Sequence, residues 1–169
     1  MATFSLEQAR QHRLFADLDD EDWAELLIHL QPQQFQAADI IFTAGDPGQG
    51  LYLLLSGQVE LRRPYTRFGG DYQLALLQAG HVFGEGELLV QRQRSHTAVC
   101  LSTAAVAVLS HHTLQRLPAA IQLKLIRSWG AILSEQLHWR DQIMADLLEQ
   151  QGSQMAASRM AELHQQDRR

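Results

Sequence analysis

Cysteine is almost absent from this sequence. The 169-residue chain holds one, Cys100, inside the apolar run AVCL. A single cysteine forms no internal disulfide and cannot supply the several thiolates of an iron–sulfur cluster. We therefore expect Cys100 to be a small buried hydrophobic residue and not a redox centre.

Long hydrophobic runs are missing as well. A membrane-spanning helix needs about 18 uninterrupted apolar residues, and no window of the sequence contains them. The first residues, MATFSLEQARQHRLF, have no apolar run followed by a small-residue cleavage site. The sequence predicts neither a signal peptide nor a membrane span and favours the cytoplasm.

Lysine and arginine are also few. The chain has 14 Lys and Arg against 19 Asp and Glu, a formal net charge of -5. A large nucleic-acid-binding surface needs clustered Lys and Arg to neutralise phosphates, so this balance argues against one. The length and the 46% hydrophobic fraction indicate one globular domain, with or without an appendage.

Hydrophobic periodicity divides the chain into three segments. Residues 5–30 show helical spacing, with Asp19 or Asp20 as a helix N-cap. Residues 33–110 hold short alternating strands between turns rich in Gly, Pro and Asp, a pattern typical of an antiparallel roll or sandwich. Helical spacing returns over residues 113–150.

The last helical segment carries a continuous apolar stripe. A helix of roughly 28 residues is about 42 Å long, more than a small roll can cover. We expect the surplus face to pair with a second copy of the chain, with folding back onto its own domain as the alternative. Gly152 is the predicted end of the helix, which leaves residues 151–169 as a polar tail.

Three stretches of the sequence carry a common family resemblance: LFADLDDEDWAELL, DIIFTAGDPGQGLYLLLSGQVEL and LQAGHVFGEGELLVQRQRSHTAV. They resemble the cyclic-nucleotide-binding domains of the catabolite activator family and of cyclic-nucleotide-regulated kinases and channels. The resemblance covers about residues 14–150. It implies an α+β domain over residues 1–150, in which N-terminal helices and a long C-terminal dimerisation helix flank an eight-stranded antiparallel double-stranded β-helix, a jelly-roll-like β-roll.

The third stretch has the chemistry that a cyclic phosphate requires. Such a monoanion needs a guanidinium, exposed backbone N–H groups and a hydroxyl. The resemblance implies that Arg94 and Ser95 bind the phosphate, that Glu85 binds the ribose hydroxyl and that the turn after Gly84 offers N–H groups. Without the flanking pattern, Arg94 would be interpreted as a solvated surface arginine and Glu85 as a structural acid.

The same stretch departs from the family pattern at Gly86 and Glu87, where a large apolar residue and a small one are usual. Glu87 would place a second carboxylate near the phosphate. That carboxylate disfavours an anion unless Arg92 or Arg94 compensates or the side chain turns away.

The base of the nucleotide would lie between the roll and the long helix. The resemblance assigns Leu74 and Ala75 to the roll side and Gln136 and Trp139 to the helix side. Trp139 either stacks on a purine or packs in a helix interface.

A metal-dependent enzyme of the cupin class is the enzymatic alternative. Leu51 or Tyr52 stands where a cupin has a metal-binding histidine, and no His-x-His accompanies His81 and Glu85. Since a catalytic metal site needs three protein ligands and an open position, the sequence predicts no metal site.

These observations predict a cytoplasmic regulatory module that is not an enzyme and needs no cofactor. It would bind a cyclic nucleotide, most simply cyclic AMP, and signal through the long helix of a homodimer to a protein partner. No complete recognition-helix pattern follows residue 150, so direct DNA binding by this chain is not expected. The alternative is a degenerate roll, with an empty pocket, that serves dimerisation or protein docking.

Overall fold

The computed structural model describes residues 9–65, 69–87 and 92–166, with the side chains of Glu87 and of residues 153–166 outside the description. The chain divides into two compact units, one up to Ser128 and one from Trp129 onward. Within the described residues, no helix is both long enough and apolar enough to cross a membrane.

The N-terminal segment forms two short helical elements. A 3-10 helix spans Arg13–Phe15, and helix α1 spans Asp20–His29. The Asp19 side chain caps α1 by accepting a 2.9 Å hydrogen bond from the Asp22 backbone N–H, and the Asp22 carboxylate accepts one from Asp19 in return. The predicted cap is confirmed at Asp19, while residues 5–8 of the predicted helical segment lie outside the described residues.

Eight strands follow in the described part of the chain: β1 (Gln31–Phe35), β2 (Ile40–Phe42), β3 (Gly50–Ser56), β4 (Gln58–Pro64), β5 (Asp71–Gln78), β6 (Val82–Phe83), β7 (Thr97–Cys100) and β8 (Ala104–Ser110). They pair antiparallel in two four-stranded sheets, in the orders β1-β8-β3-β6 and β2-β7-β4-β5. This architecture confirms the predicted roll.

The core of the roll lies between the two sheets. It contains Phe42, Leu54, Phe83 and Val106, and Cys100 lies among them with 1% exposure. Burial, with a smaller contribution from the Asp39 carboxylate, raises the pKa of the Cys100 thiol. Cys100 is therefore the buried small residue that the sequence predicts.

Two helices follow the last strand. Helix α2 (His111–Arg116) follows β8 directly, and Ser110 caps it by accepting a 3.0 Å hydrogen bond from the Thr113 N–H. Helix α3 spans Ala119–Gln166. The predicted apolar face is buried at Leu114, Leu117, Ile121 and Leu125.

Helix α3 differs from the prediction at its C-terminal end. Gly152 does not end the helix, which continues to Gln166 through residues expected to form a polar tail. A glycine in a helix interior costs about 1 kcal/mol relative to alanine. The surrounding Gln, Ala, Met and Glu residues have good helix propensity and offset that cost.

Candidate functional site

The turn cluster between β2 and β3 is hydrogen-bonded to the segment that leads into β7. The Arg94 N–H donates to the Asp46 carbonyl at 2.7 Å, and the Gly45 N–H donates to the Arg94 carbonyl at 2.8 Å. The Gly48 N–H donates to the Arg92 carbonyl at 2.9 Å. Two of the three stretches singled out in the sequence thus meet, and the backbone of Arg94 is held on both sides.

The Arg94 side chain is buried, with 4% exposure. Its Nη1 donates to the Gly84 carbonyl at 2.8 Å, just after β6, and its Nη2 donates to the Gly50 carbonyl at 2.6 Å, at the start of β3. The interpretation of Arg94 as a solvated surface arginine is therefore wrong. The rigid guanidinium fork connects two strands of the first sheet.

An aromatic cluster surrounds this guanidinium. Arg94 Cζ lies 4.3 Å from the ring centroid of Phe42 and 5.5 Å from that of Tyr52. Tyr52 stacks in turn on Phe83, with 5.2 Å between centroids. The ring faces are negative and stabilise the buried cation.

Sequence reasoning did not identify Gly50, Phe42 or Tyr52 as part of the site. Phe42 and Tyr52 stand in short apolar runs, which mark them as strand residues but give no signal that a cation stands over them. Gly50 contributes only its carbonyl oxygen, a group that every residue type carries.

Gly84 lies directly beside the guanidinium. Its φ is +71°, in the region that residues with a Cβ rarely adopt. A Cβ at this position would be 2.6 Å from Arg94 Nη1 and 3.3 Å from Tyr52 Cδ2. Both the backbone conformation and the close approach of Arg94 therefore require glycine.

A short 3-10 helix, Glu85–Glu87, follows Gly84. The Glu85 side chain is half-buried, while Gly86 is exposed and has nothing within 4 Å of where a Cβ would be. The backbone at Gly86 is thus open to an approaching ligand. The Glu87 side chain and residues 88–91 lie outside the described residues, so the effect of Glu87 on an anion stays a prediction.

Ser95 is exposed, next to the buried Arg94. Its Oγ lies 2.6 Å from Nδ1 of His96. A solvent-facing hydroxyl and a desolvated guanidinium are therefore adjacent in the chain.

The four residues predicted to contact the base of the nucleotide are distributed over both units. On β5, Ala75 pairs with Leu61 and is half-buried, whereas Leu74 falls at a register irregularity and is 44% exposed. Gln136 and Trp139 lie on α3 in the second unit, where both are exposed. Their predicted contact with a base remains a prediction.

No group of three potential metal ligands occurs among the described His, Cys, Asp and Glu residues. The buried Arg94 guanidinium gives the site the chemistry of anion recognition. A guanidinium in a poorly solvated environment attracts an anion more strongly than an exposed one, and a hydroxyl and open backbone lie close to it in the chain.

Comparison with known families agrees with this geometry. The family described as "Cyclic nucleotide-binding domain" matches residues 32–120. The cyclic AMP receptor protein of Thermus thermophilus is 35% identical over 136 residues, which are 80% of this chain and 61% of that relative. The chain thus spans less than two thirds of the length of this relative.

Solved structures show the same fold. The catabolite activator protein of Thermus thermophilus aligns with a TM-score of 0.74 and 32% identity, over 82% of this chain and 63% of that chain. The N-terminal domain of a transcriptional regulator from Streptomyces coelicolor aligns with a TM-score of 0.70 and 30% identity, over 76% of this chain and 94% of that chain. The family match includes Phe42, Gly50, Tyr52 and Gly84, which contact the Arg94 guanidinium.

Proposed function

Because this chain belongs to the cyclic nucleotide-binding domain family, we propose that it is a regulatory module that binds cyclic AMP in its β-roll. The observation that carries the proposal is the guanidinium of Arg94, buried beside Gly84 and held over Phe42. The similarity to a cyclic AMP receptor protein supports the choice of nucleotide. The module acts by binding, without catalysis and without a cofactor.

The proposed roles follow from the chemistry of each group. Arg94 and Ser95 hold the cyclic phosphate, because a charged fork and a hydroxyl both donate to its oxygens. The open backbone at Gly86 supplies a further N–H donor, and the Glu85 carboxylate accepts from the ribose hydroxyl. Ala75 and Leu74 of β5, with Gln136 and Trp139 of α3, are the proposed contacts of the base.

Isothermal titration of the full chain with cyclic AMP and cyclic GMP tests this function. Replacing Arg94 by glutamine removes the charge-assisted hydrogen bonds to the phosphate, so Arg94→Gln is expected to weaken cyclic AMP binding by about 10- to 100-fold. Arg116→Gln is the matched control, because Arg116 is exposed at the end of α2, outside the proposed site, and its loss changes the net charge equally. It is expected to change affinity by less than about threefold.

Circular dichroism of each variant separates loss of binding from loss of folding, since Arg94 also connects two strands. A flat titration of the folded wild-type chain would refute cyclic AMP binding. Equal losses in the two arginine variants would refute the role of Arg94.

We also propose that the second unit transmits the signal as the interface of a homodimer. Large apolar side chains are exposed along this part of α3, including Leu137, Met144, Leu147 and Leu148. A soluble protein rarely leaves such a stripe uncovered. A ligand that favours one packing of the paired helices over another would present a different surface to a protein partner.

The same exposed stripe supports a second candidate function, a dimerisation or docking module whose roll binds no nucleotide. The titration distinguishes the two functions. Self-association together with flat titrations would favour the docking module, and Glu87 would then be the first residue to replace.

A further inference from the structure

A concave site lies on the other face of the first sheet, away from Arg94. It is a cavity of about 510 Å³. Strand β8 contributes Ala105 and Ala107 to its lining, and Leu27 and Leu30 at the C-terminal end of α1 line it as well. Leu55 of β3 also belongs to the lining.

Strand register separates this cavity from the nucleotide site. Pro32 pairs with Ala107 and Gln34 with Ala105, so all four side chains lie on one face of the sheet. Val106, between the two alanines, also borders the cavity, but strand alternation directs its side chain to the roll core on the opposite face, together with Phe42, the ring beneath Arg94. The cavity therefore backs the core of the roll and shares strand β8 with it.

The cavity exists because its floor is made of small side chains. Ala105 and Ala107 are 4% and 2% exposed, and each side chain ends at a methyl group. Leu55 beside them is 6% exposed. Residues this enclosed are reached by a molecule that enters the cavity and not by a flat protein surface laid over it.

The lining defines the chemistry of the occupant. It is apolar except for Gln33 and Gln34 of β1, and within the described part of the chain it includes no charged residue. A glutamine amide both donates and accepts hydrogen bonds. A charged ligand would lose its hydration here without gaining an ion pair, which disfavours it.

The volume of the cavity limits the size of the ligand that it can hold. An apolar cavity of about 150 Å³ holds one benzene molecule, and the cavity here, at about 510 Å³, has roughly three times that volume. It also falls within the range of about 300–1,000 Å³ that is usual for small-molecule sites.

We propose that this cavity binds a neutral, largely apolar small molecule of about three rings' volume, with one hydrogen-bonding group directed at Gln34. This is a second ligand site, distinct from the site for a charged cyclic nucleotide. Its existence does not depend on whether the roll binds cyclic AMP.

The test uses N-phenyl-1-naphthylamine as the probe, a neutral fluorophore with three aromatic rings and one N–H donor. Full-length protein is titrated with the probe and its fluorescence is recorded. We expect saturable binding of one probe per chain. Gln34→Trp places a large ring at an exposed lining position, and Ala107→Leu fills the floor, so each is expected to weaken binding at least tenfold.

Gln31→Trp is the matched control, since Gln31 is exposed on the same strand but does not line the cavity. It is expected to bind the probe as the wild type does. Gln34→Trp changes a solvent-facing residue and keeps the test valid should Ala107→Leu fail to fold.

Two results would overturn the proposal. One is the absence of saturable binding to the wild-type chain. The other is equal binding by the wild type, Gln34→Trp and Gln31→Trp, which would place the probe elsewhere, such as on the apolar stripe of α3.

Discussion

Gly84 has both a left-handed backbone conformation and a close contact with the Arg94 side chain. The positive φ strains any residue with a Cβ, and a Cβ would lie only 2.6 Å from Arg94 Nη1, so the guanidinium would have to move. Gly86, two residues later, has open space around it. The two glycines look alike in the sequence, and only their surroundings distinguish them.

Gly84→Ala is therefore expected to destabilise the fold by at least about 1–2 kcal/mol, the cost of a left-handed conformation for a residue with a Cβ. It is also expected to displace Arg94 and weaken cyclic AMP binding. Urea unfolding and isothermal titration measure the two effects. Gly86→Ala is the control for stability, and its free energy of unfolding is expected to stay within about 0.5 kcal/mol of the wild type; equal losses of stability in both variants would contradict this account of Gly84.

At the scale of elements, one lysine near the start of α3 connects that helix to the N-terminus of α1. Lys124 of α3 contacts both Asp19, at 3.0 Å, and Asp22, the two residues of the α1 capping box. The pKa of Asp19 is lowered, first by the hydrogen bond from the Asp22 backbone N–H and then by the hydrogen bond from Lys124. The hydrogen bonds to Asp22 and Asp19 raise the pKa of Lys124.

Asp19→Ala is expected to lower the melting temperature by about 2–4 °C at neutral pH, as the loss of a typical helix cap does. Because the folded state lowers the pKa of Asp19, its stabilisation is present above the ordinary value of 3.8 and is lost as the pH falls through the folded-state pKa. The difference between variant and wild type should therefore shrink in acid.

Thermal unfolding followed by circular dichroism, at neutral pH and below pH 3.8, measures this difference. Glu21→Ala is the control, because Glu21 is a first-turn acid of the same helix but not its cap. A difference between Asp19→Ala and the wild type that stays constant over the whole pH range would contradict the role of the Asp19 carboxylate.

At the scale of the whole molecule, the apolar stripe of α3 is exposed to solvent in the single chain. Leu137 and Leu148 are each 61% exposed, and Leu133 and Met144 lie on the same side of the helix by spacing. Burying such a row against a second copy removes a large apolar area from water.

The wild-type chain is therefore expected to sediment with twice the chain mass. The double variant Leu137→Glu, Leu148→Glu should sediment as a monomer, because it places charges in the proposed interface. The pair Ala131→Glu, Gln142→Glu adds two charges with the same spacing on the opposite side of the helix and should leave the dimer intact. A monomeric wild type, or equal effects of both pairs, would refute the interface.

The sequence alone determined the order of elements and much of their local chemistry. Periodicity, the Asp19 cap and the glycine-bearing turns predicted the helices and the antiparallel roll, because these signals act between residues that are close in the chain. The resemblance to a known family implied in addition that Gly84 and Arg94 belong to one site, and they are in contact.

The tertiary structure alone decided the environment of that site. Nothing local indicates that Arg94 is buried, that Gly50 accepts from it or that Phe42 lies under it, because β-sheet pairing brings these residues together from distant parts of the chain. The alanine-floored cavity has the same origin, since its floor and its helical wall come from separate elements. Local propensity also failed at Gly152, where a penalty of about 1 kcal/mol for one glycine is too small to end a long helix.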